Sequence, residues 1–279
     1  MANDYEKRLM RVLDYIHDNP AGDLSLDALA DVAALSRFHW HRVFRAMTGE
    51  TAAQTVRRMR MHRAATALVR EPTPITRIAV DVGYPNAASF ARAFAETYGS
   101  TPAAFRGRGE LRPFNRPLKP EIKLMHPVTI RSEPARRLAA IAHSGPYFEI
   151  GRSFEKLFAT LTTRNLVQQT GHMVGVFYND PAQTAPDKLK SHAGVEVSDG
   201  LPVAAPLEAV TLPAARHAVL TFTGPYAGLP AAYDQLFAVW LPESGETPAD
   251  LPSFEIYLNS PMDTEQDKLV TELCLPLAD

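Results

Sequence analysis

The stretch Leu26–Gly49, LDALADVAALSRFHWHRVFRAMTG, has the layout of a helix-turn-helix: an alanine-rich helix, a tight turn ending in Ser36, then a second helix. Serine at that point is a natural N-cap, because its hydroxyl accepts from the orphan N–H groups of the first turn. Within the second helix Trp40, Val43, Phe44 and Met47 recur at helical spacing and form a packing face. Phe38, His41, Arg42 and Arg45 fall on the opposite face, with Arg37 just before them, and are read as facing outward. An outward face of this kind suits the major groove of double-stranded DNA. Arginine can bond guanine O6 and N7 together, while histidine or an aromatic ring can meet an acceptor edge or a thymine methyl. His39 and His41 do not suggest a metal site, because side chains two apart point to different sides of a helix and no acidic or cysteine partner stands at ligand spacing.

The same layout returns at Thr76–Gly99, TRIAVDVGYPNAASFARAFAETYG. Ile78, Ala79 and Val82 make a short first helix, Gly83-Tyr84-Pro85 the turn, and Phe90 and Phe94 anchor the next helix, which leaves Asn86, Ser89 and Arg92 facing out. Thr51–Arg70 reads as a rigid connecting helix, and its Arg57, Arg58, Arg60, Arg63 and Arg70 are candidates for phosphate contacts. Two recognition helices so held could enter successive major-groove segments about 34 Å apart. Upstream, Leu9, Val12, Leu13 and Ile16 form one apolar stripe, and Asn19-Pro20 ends that helix.

The net charge of -2 conceals an asymmetry: residues 1–127 hold 19 Lys/Arg against 13 Asp/Glu, and the remainder holds 10 against 18. A basic first half and an acidic second half fit a chain in which only the first half approaches a polyanion. No apolar run approaches the roughly 20 residues that cross a bilayer, and MANDYEKRLM lacks the core of a secretion signal, so a cytoplasmic protein without a membrane partner is expected. The single cysteine, Cys274, lies in the apolar segment LVTELCLPL and reads as a buried structural thiol. No Ser-His-Asp or Cys-His set is evident, so neither catalytic residues, metal nor cofactor is expected.

At 279 residues, two domains are the starting expectation. Gly107–Pro127, GRGELRPFNRPLKPEIKLMHP, carries four prolines and mixed charge. The boundaries are therefore set at 1–108 for an all-α domain, 109–126 for a proline-rich linker and 127–279 for an α+β domain. In the latter VTIRS, MVGVFY, GVEVS, HAVLTFT, FEIYL and LVTELCL alternate as strands do. The domain also contains a repeat: Gly145-Pro146-Tyr147 laid over Gly224-Pro225-Tyr226 aligns Phe154 with Tyr233, Leu157 with Leu236, Phe158 with Phe237 and Leu161 with Trp240. Two such units are expected to form one pseudo-two-fold antiparallel sheet with helices on one side, and Phe154, Leu157, Phe158, Leu161, Leu236 and Phe237 are read as packing.

Ile78-Ala79, Val82-Gly83-Tyr84, Phe90, Arg92, Phe94, Gly99, Thr101-Pro102 and Phe105-Arg106, with Leu29-Ala30, Ser36, Phe44 and Gly49, resemble the DNA-binding domain of the AraC/XylS family. The resemblance implies that Phe38, His41 and Arg42 in the first unit and Asn86, Ser89 and Arg92 in the second contact bases, and that RNA polymerase is a further partner. In the second half Val174–Pro181, Gly194–Val197, Gly224-Pro225-Tyr226, Trp240–Gly245 and Ser253–Asn259 resemble the GyrI-like effector-binding domain of Rob/BmrR-type regulators. That resemblance implies a small-molecule effector, lipophilic and often cationic, held against a glutamate that by motif is Glu255. Strand alternation puts Glu255 and Tyr257 on one face of FEIYL. A carboxylate in a cavity lined by Tyr147, Phe177, Tyr178, Tyr226, Trp240 and Tyr257 would be costly to ionise alone, and a bound cation would offset that cost while stacking on the rings. The expected function is thus a DNA-binding transcriptional regulator that senses a small molecule. The alternatives are a small-molecule hydrolase and a gyrase-inhibitor-like protein-binding module.

Overall fold

Helices account for the described part of the first domain in this computed structural model, which describes residues 4–109 and 125–279. The proline-rich segment proposed as a linker lies mostly outside the described residues. The chain divides into two compact units, one running to Arg37 and resuming at Phe44, the other joining Phe38–Val43 to the C-terminal residues.

In the first unit α1 (Asp4–Asp18) and α2 (Leu26–Ala33) precede the stretch that enters α3 (Trp40–Thr48), and α4 (Ala52–Arg70) connects these to α5 (Ile75–Asp81), α6 (Ala87–Tyr98) and α7 (Pro102–Arg108). The helix ends are set by side chains. Ser25 caps α2, Thr51 and Gln54 close a reciprocal capping box on α4, Asn86 caps α6 and Thr101 caps α7. Ser36 does not stand directly before the second helix as the sequence suggested: Arg37–His39 form a turn between them, and Val43 N–H bonds to His39 C=O. Phe38 therefore precedes α3 rather than lying on it. Phe90, Phe94 and Phe105, all fully buried, pack with Met61, Leu68 and Ile78 into the core under the second helix-turn-helix. Gly83 turns there at φ +82°, where a Cβ would stand 2.6 Å from Pro20 O, so only glycine lets the turn and Pro20 meet.

The second unit is an eight-stranded antiparallel sheet in the order β1-β6-β8-β7-β3-β4-β2-β5. Its strands are β1 (Val128–Glu133), β2 (Arg136–Ser144), β3 (Thr170–Phe177), β4 (Lys190–Val197), β5 (Glu208–Leu212), β6 (Ala215–Thr223), β7 (Ser253–Tyr257) and β8 (Val270–Leu277). The order reads the same from either end once β1 is matched with β5, β2 with β6, β3 with β7 and β4 with β8, so the repeat seen in the sequence is a two-fold in the sheet, with its axis between β3 and β7. The first strand of each copy pairs with the second strand of the other copy, β1 with β6 and β5 with β2, which ties the copies together. One face carries α8 (Gly151–Thr163) over Ala139, Val195 and Met173, with α9 (Leu229–Gln235), a π-helical turn (Leu236–Trp240) and α10 (Leu241–Ser244) as its counterpart. The other face buries Leu138, Val174, Val176, Val219, Phe254, Ile256 and Cys274. Cys274 is 1% exposed, and burial raises its thiol pKa, as the apolar segment predicted. A chain of ion pairs runs along this unit through Arg131, Glu133, Arg136 and Glu196, with Glu272 joined to Arg131.

Candidate functional site

The strands nearest the two-fold build the acidic site. Gly175 on β3 stands directly opposite Glu255 on β7, and this pair lies on the axis. A Cβ at Gly175 would stand 3.0 Å from the Phe177 ring and from Tyr257 Oη, so glycine leaves the space the carboxylate and its partner fill. Glu255 is 4% exposed, and Tyr257 Oη donates to its Oε2 at 2.7 Å. The Tyr233 hydroxyl approaches the same carboxylate without closing a well-aligned hydrogen bond. Burial pushes the Glu255 pKa from 4.5 up to about 7, against the opposing pull of Tyr257, Tyr233 and the Arg42 charge. A carboxyl group so poised can be neutral among these side chains and ionised beside a cation.

Part of the aromatic frame around it obeys the repeat. Tyr147 packs edge-on to Phe177 with centroids 4.9 Å apart, and Tyr226 packs in the same way on Tyr257 at 5.4 Å. Phe154 meets Tyr257 at 5.6 Å, and its repeat partner Tyr233 stacks on Phe237 at 6.3 Å. The copies differ in polarity: where the first has Phe154, Gly175 and Phe177, the second has Tyr233, Glu255 and Tyr257. Tyr147 contributes its ring only, because its hydroxyl donates to the carbonyls of Asn179 and Lys190 and accepts from Asn179 N.

Of the seven side chains assigned to this site from sequence, Glu255, Tyr257, Tyr147, Phe177 and Tyr226 come together here. Tyr178 does not. Strand alternation turns it to the opposite face, where its ring meets His192 at 5.4 Å. Trp240 ends the π turn half-buried, and none of the ring contacts just described involves it. Phe154 was read as packing, and Tyr233 and Gly175 were passed over. The signal for Tyr233 was present, a tyrosine aligned with phenylalanine in the other copy.

The residues assigned to DNA reading from the sequence divide. Arg37, Arg45, Asn86, Ser89 and Arg92 are exposed. Asn86 spends its side-chain oxygen on Ala88 and Ser89 N–H as the α6 cap, leaving its amide nitrogen for a ligand. Phe38 and Arg42 are half-buried and His41 is 6% exposed, against the outward placement predicted from helical spacing. The reason is that Phe38–Val43 packs in the sheet-containing unit. His39 Nε2 meets Leu251 O at 2.8 Å, His41 Nε2 lies 3.4 Å from Asp180 Oδ2, and Arg42 Nη2 donates to Asn179 O at 3.3 Å. Burial drops the pKa of His39 to about 3 and that of His41 to about 4, so both rings are neutral at physiological pH.

The connector arginines hold their own domain. Arg58 Nε donates to the buried Glu50 carboxylate at 2.9 Å, Arg60 Nε to Pro20 O at 2.7 Å and Arg63 Nη1 to His17 O at 3.0 Å, while Arg57 pairs with Glu96. These bonds give the four arginines a role within the domain, and Arg57 and Arg63 are also exposed. Among the described residues no three potential ligands cluster to hold a metal, and no helix is long and apolar enough to cross a membrane.

Two helix-turn-helix motifs and a buried acidic aromatic cluster in a sheet of two pseudo-symmetric copies define an AraC-type helix-turn-helix protein joined to a small-molecule-binding module. Residues 29–108 match a helix-turn-helix domain family. Residues 126–278, more than half the chain, match the family described as the GyrI-like small molecule binding domain, and the chain belongs to that family. It is similar to the bifunctional transcriptional activator/DNA repair enzyme AdaA of Bacillus subtilis, 36% identical over 95 residues, which are 34% of this chain and 45% of AdaA. It is also similar to the RCS-specific HTH-type transcriptional activator RclR of Escherichia coli, 33% identical over 101 residues, 36% of either chain. The transcriptional regulator Rob of Salmonella typhimurium is 33% identical over 101 residues, 36% of this chain and 34% of Rob. The chain spans less than half the length of each of these relatives. The crystal structure of the EcmrR C-terminal domain is 15% identical with a TM-score of 0.46, over 56% of this chain and 99% of that one.

Proposed function

We propose that this protein is a cytoplasmic transcriptional regulator that binds double-stranded DNA through its two helix-turn-helix units and responds to an amphipathic monocation bound at Glu255. RNA polymerase is the further partner implied by the AraC/XylS resemblance. The observation that carries the effector reading is the buried Glu255 carboxylate with the Tyr257 hydroxyl on it at 2.7 Å and no cationic side chain paired to it in a salt bridge among the described residues. A lone buried carboxylate is costly to ionise, and a cation that brings its own apolar surface relieves that cost where a small hydrated ion does not. The difference between the copies sets the ligand's shape: its charge lies toward Glu255, Tyr233 and Tyr257, and its aromatic body toward Phe154 and Phe177.

Tetraphenylphosphonium and the anion tetraphenylborate share a shape and differ in charge, and tetraphenylsilane is their neutral counterpart. Thermal unfolding of the full chain is expected to shift upward with the first alone, and Glu255→Gln to lose that shift. At a hundred times its dissociation constant a ligand adds about 2.7 kcal/mol to the unit it occupies. Equal shifts from all three probes, or an undiminished shift in Glu255→Gln, would remove the assignment.

A further inference from the structure

Glu255 already has a positive charge near it. Arg42 lies with its guanidinium carbon 4.9 Å from the Tyr233 ring centroid and 5.4 Å from that of Phe237. Nη2 donates to the carbonyl oxygen of Asn179, which also accepts from the Tyr147 hydroxyl. A planar cation over two rings with a carbonyl at its edge is how an aromatic cavity receives a delocalised cation. Burial raises the pKa of Glu255 and of Tyr147, and the charge of Arg42 opposes it at each, so its field reaches both copies of the repeat. The short segment around it is anchored by His39, which stacks on Phe237 at 5.8 Å and bonds Leu251 O.

We propose that Arg42 is the resident cation of this site and that a ligand cation binds by displacing it. The proposal rests on reading the Glu255 cavity as a cation site. Arg42 is a weak occupant by its geometry. Nη1 is buried without a hydrogen-bond partner, the bond from Nη2 is long at 3.3 Å, and no salt bridge joins the guanidinium to Glu255. Each unmet donor lowers the cost of exchanging arginine for a cation that needs none. Arg42 is also one of the side chains proposed to reach DNA. One guanidinium cannot serve both places, so cation and DNA are linked: the ligand that takes the cavity leaves the arginine available to the base edges, and DNA affinity rises by the factor by which DNA in turn raises cation affinity.

The test is tetraphenylphosphonium binding to the full chain by calorimetry, in wild type, Arg42→Ala, Arg42→Met, Glu255→Gln and Lys156→Ala. Arg42→Met keeps an apolar stem over the rings and decides the matter if the alanine variant does not fold. A site open only a tenth of the time binds about tenfold more weakly than the same site left open, so both Arg42 variants are expected to bind the probe about tenfold or more tightly than wild type. Lys156→Ala, which removes the same charge from an exposed position on α8, is expected to bind like wild type. If wild type binds, Glu255→Gln does not, and the Arg42 variants match or fall below wild type, the cavity reading stands and the displacement is wrong. If none of the proteins binds the probe, both are wrong.

Discussion

Protonating Glu255 is expected to weaken cation binding there and, taken by itself, to strengthen the fold, two effects of one proton with opposite signs. Burial holds the pKa of the folded chain at about 7, against 4.5 for an unburied glutamate. The folded state therefore holds this proton more tightly than the unfolded state does. At about 1.4 kcal/mol per unit, the shift amounts to a destabilisation of about 3 kcal/mol. That penalty is absent below about pH 4.5, grows as the pH rises through about 7 and is constant above it. Glu255→Gln removes it, so the variant is expected to gain stability over wild type at about pH 8 and to lose that advantage at about pH 4.5. A monocation needs the carboxylate, so below about pH 7 it must expel the proton, and its affinity falls about tenfold for each further unit. Titration calorimetry of tetraphenylphosphonium in two buffers of different ionisation enthalpy reads the proton directly: release approaching one per site at about pH 6 and near zero at about pH 8.5 is expected. An affinity independent of pH over this range, with no proton released, would show that Glu255 is ionised in the empty cavity and that its burial has been misjudged.

Four other outcomes follow from the same geometry. Tyr257→Phe removes the donor on Glu255, raises its pKa further and is expected to cost about tenfold in cation affinity near pH 7, with DNA binding at saturating probe unchanged in a gel-shift titration. Gly175→Ala puts a Cβ 3.0 Å from Tyr257 Oη and the Phe177 ring. It is expected to destabilise the sheet unit by about 1–3 kcal/mol in chemical denaturation and to weaken the probe. Arg58→Ala strands the buried Glu50 and is expected to cost about 2 kcal/mol or more in urea melts, whereas Arg57→Ala, whose pair with Glu96 is about half exposed on both sides, costs under about 1 kcal/mol. Arg92→Ala, exposed on α6, is expected to lose about 1–3 kcal/mol of binding to the preferred operator and to relax selection at one position in a sequence-enrichment assay.

Much of this protein is legible from local pattern. Helical periodicity and paired turns show both helix-turn-helix units, because an amphipathic helix must keep its apolar residues on one face wherever it is docked. The 79-residue repeat shows the symmetry of the sheet, because two like sequences fold alike. Strand alternation puts Glu255 and Tyr257 on one side and should also have turned Tyr178 away from Phe177. β2 and β5 escaped, since RRLAAIAHS carries alanines where an alternating strand carries branched side chains, and EAVTL is a short edge. Tertiary structure alone decides what lies across from what. That Gly175 faces Glu255 is a matter of register between strands far apart in sequence, and the room glycine leaves has no counterpart in any local pattern. That the α4 arginines bind carbonyls and Glu50, and that Arg42 and His41 pack rather than point outward, depends equally on partners distant in the chain. A helix's periodicity says which side each residue occupies, but not whether that side meets solvent, DNA or an aromatic cavity.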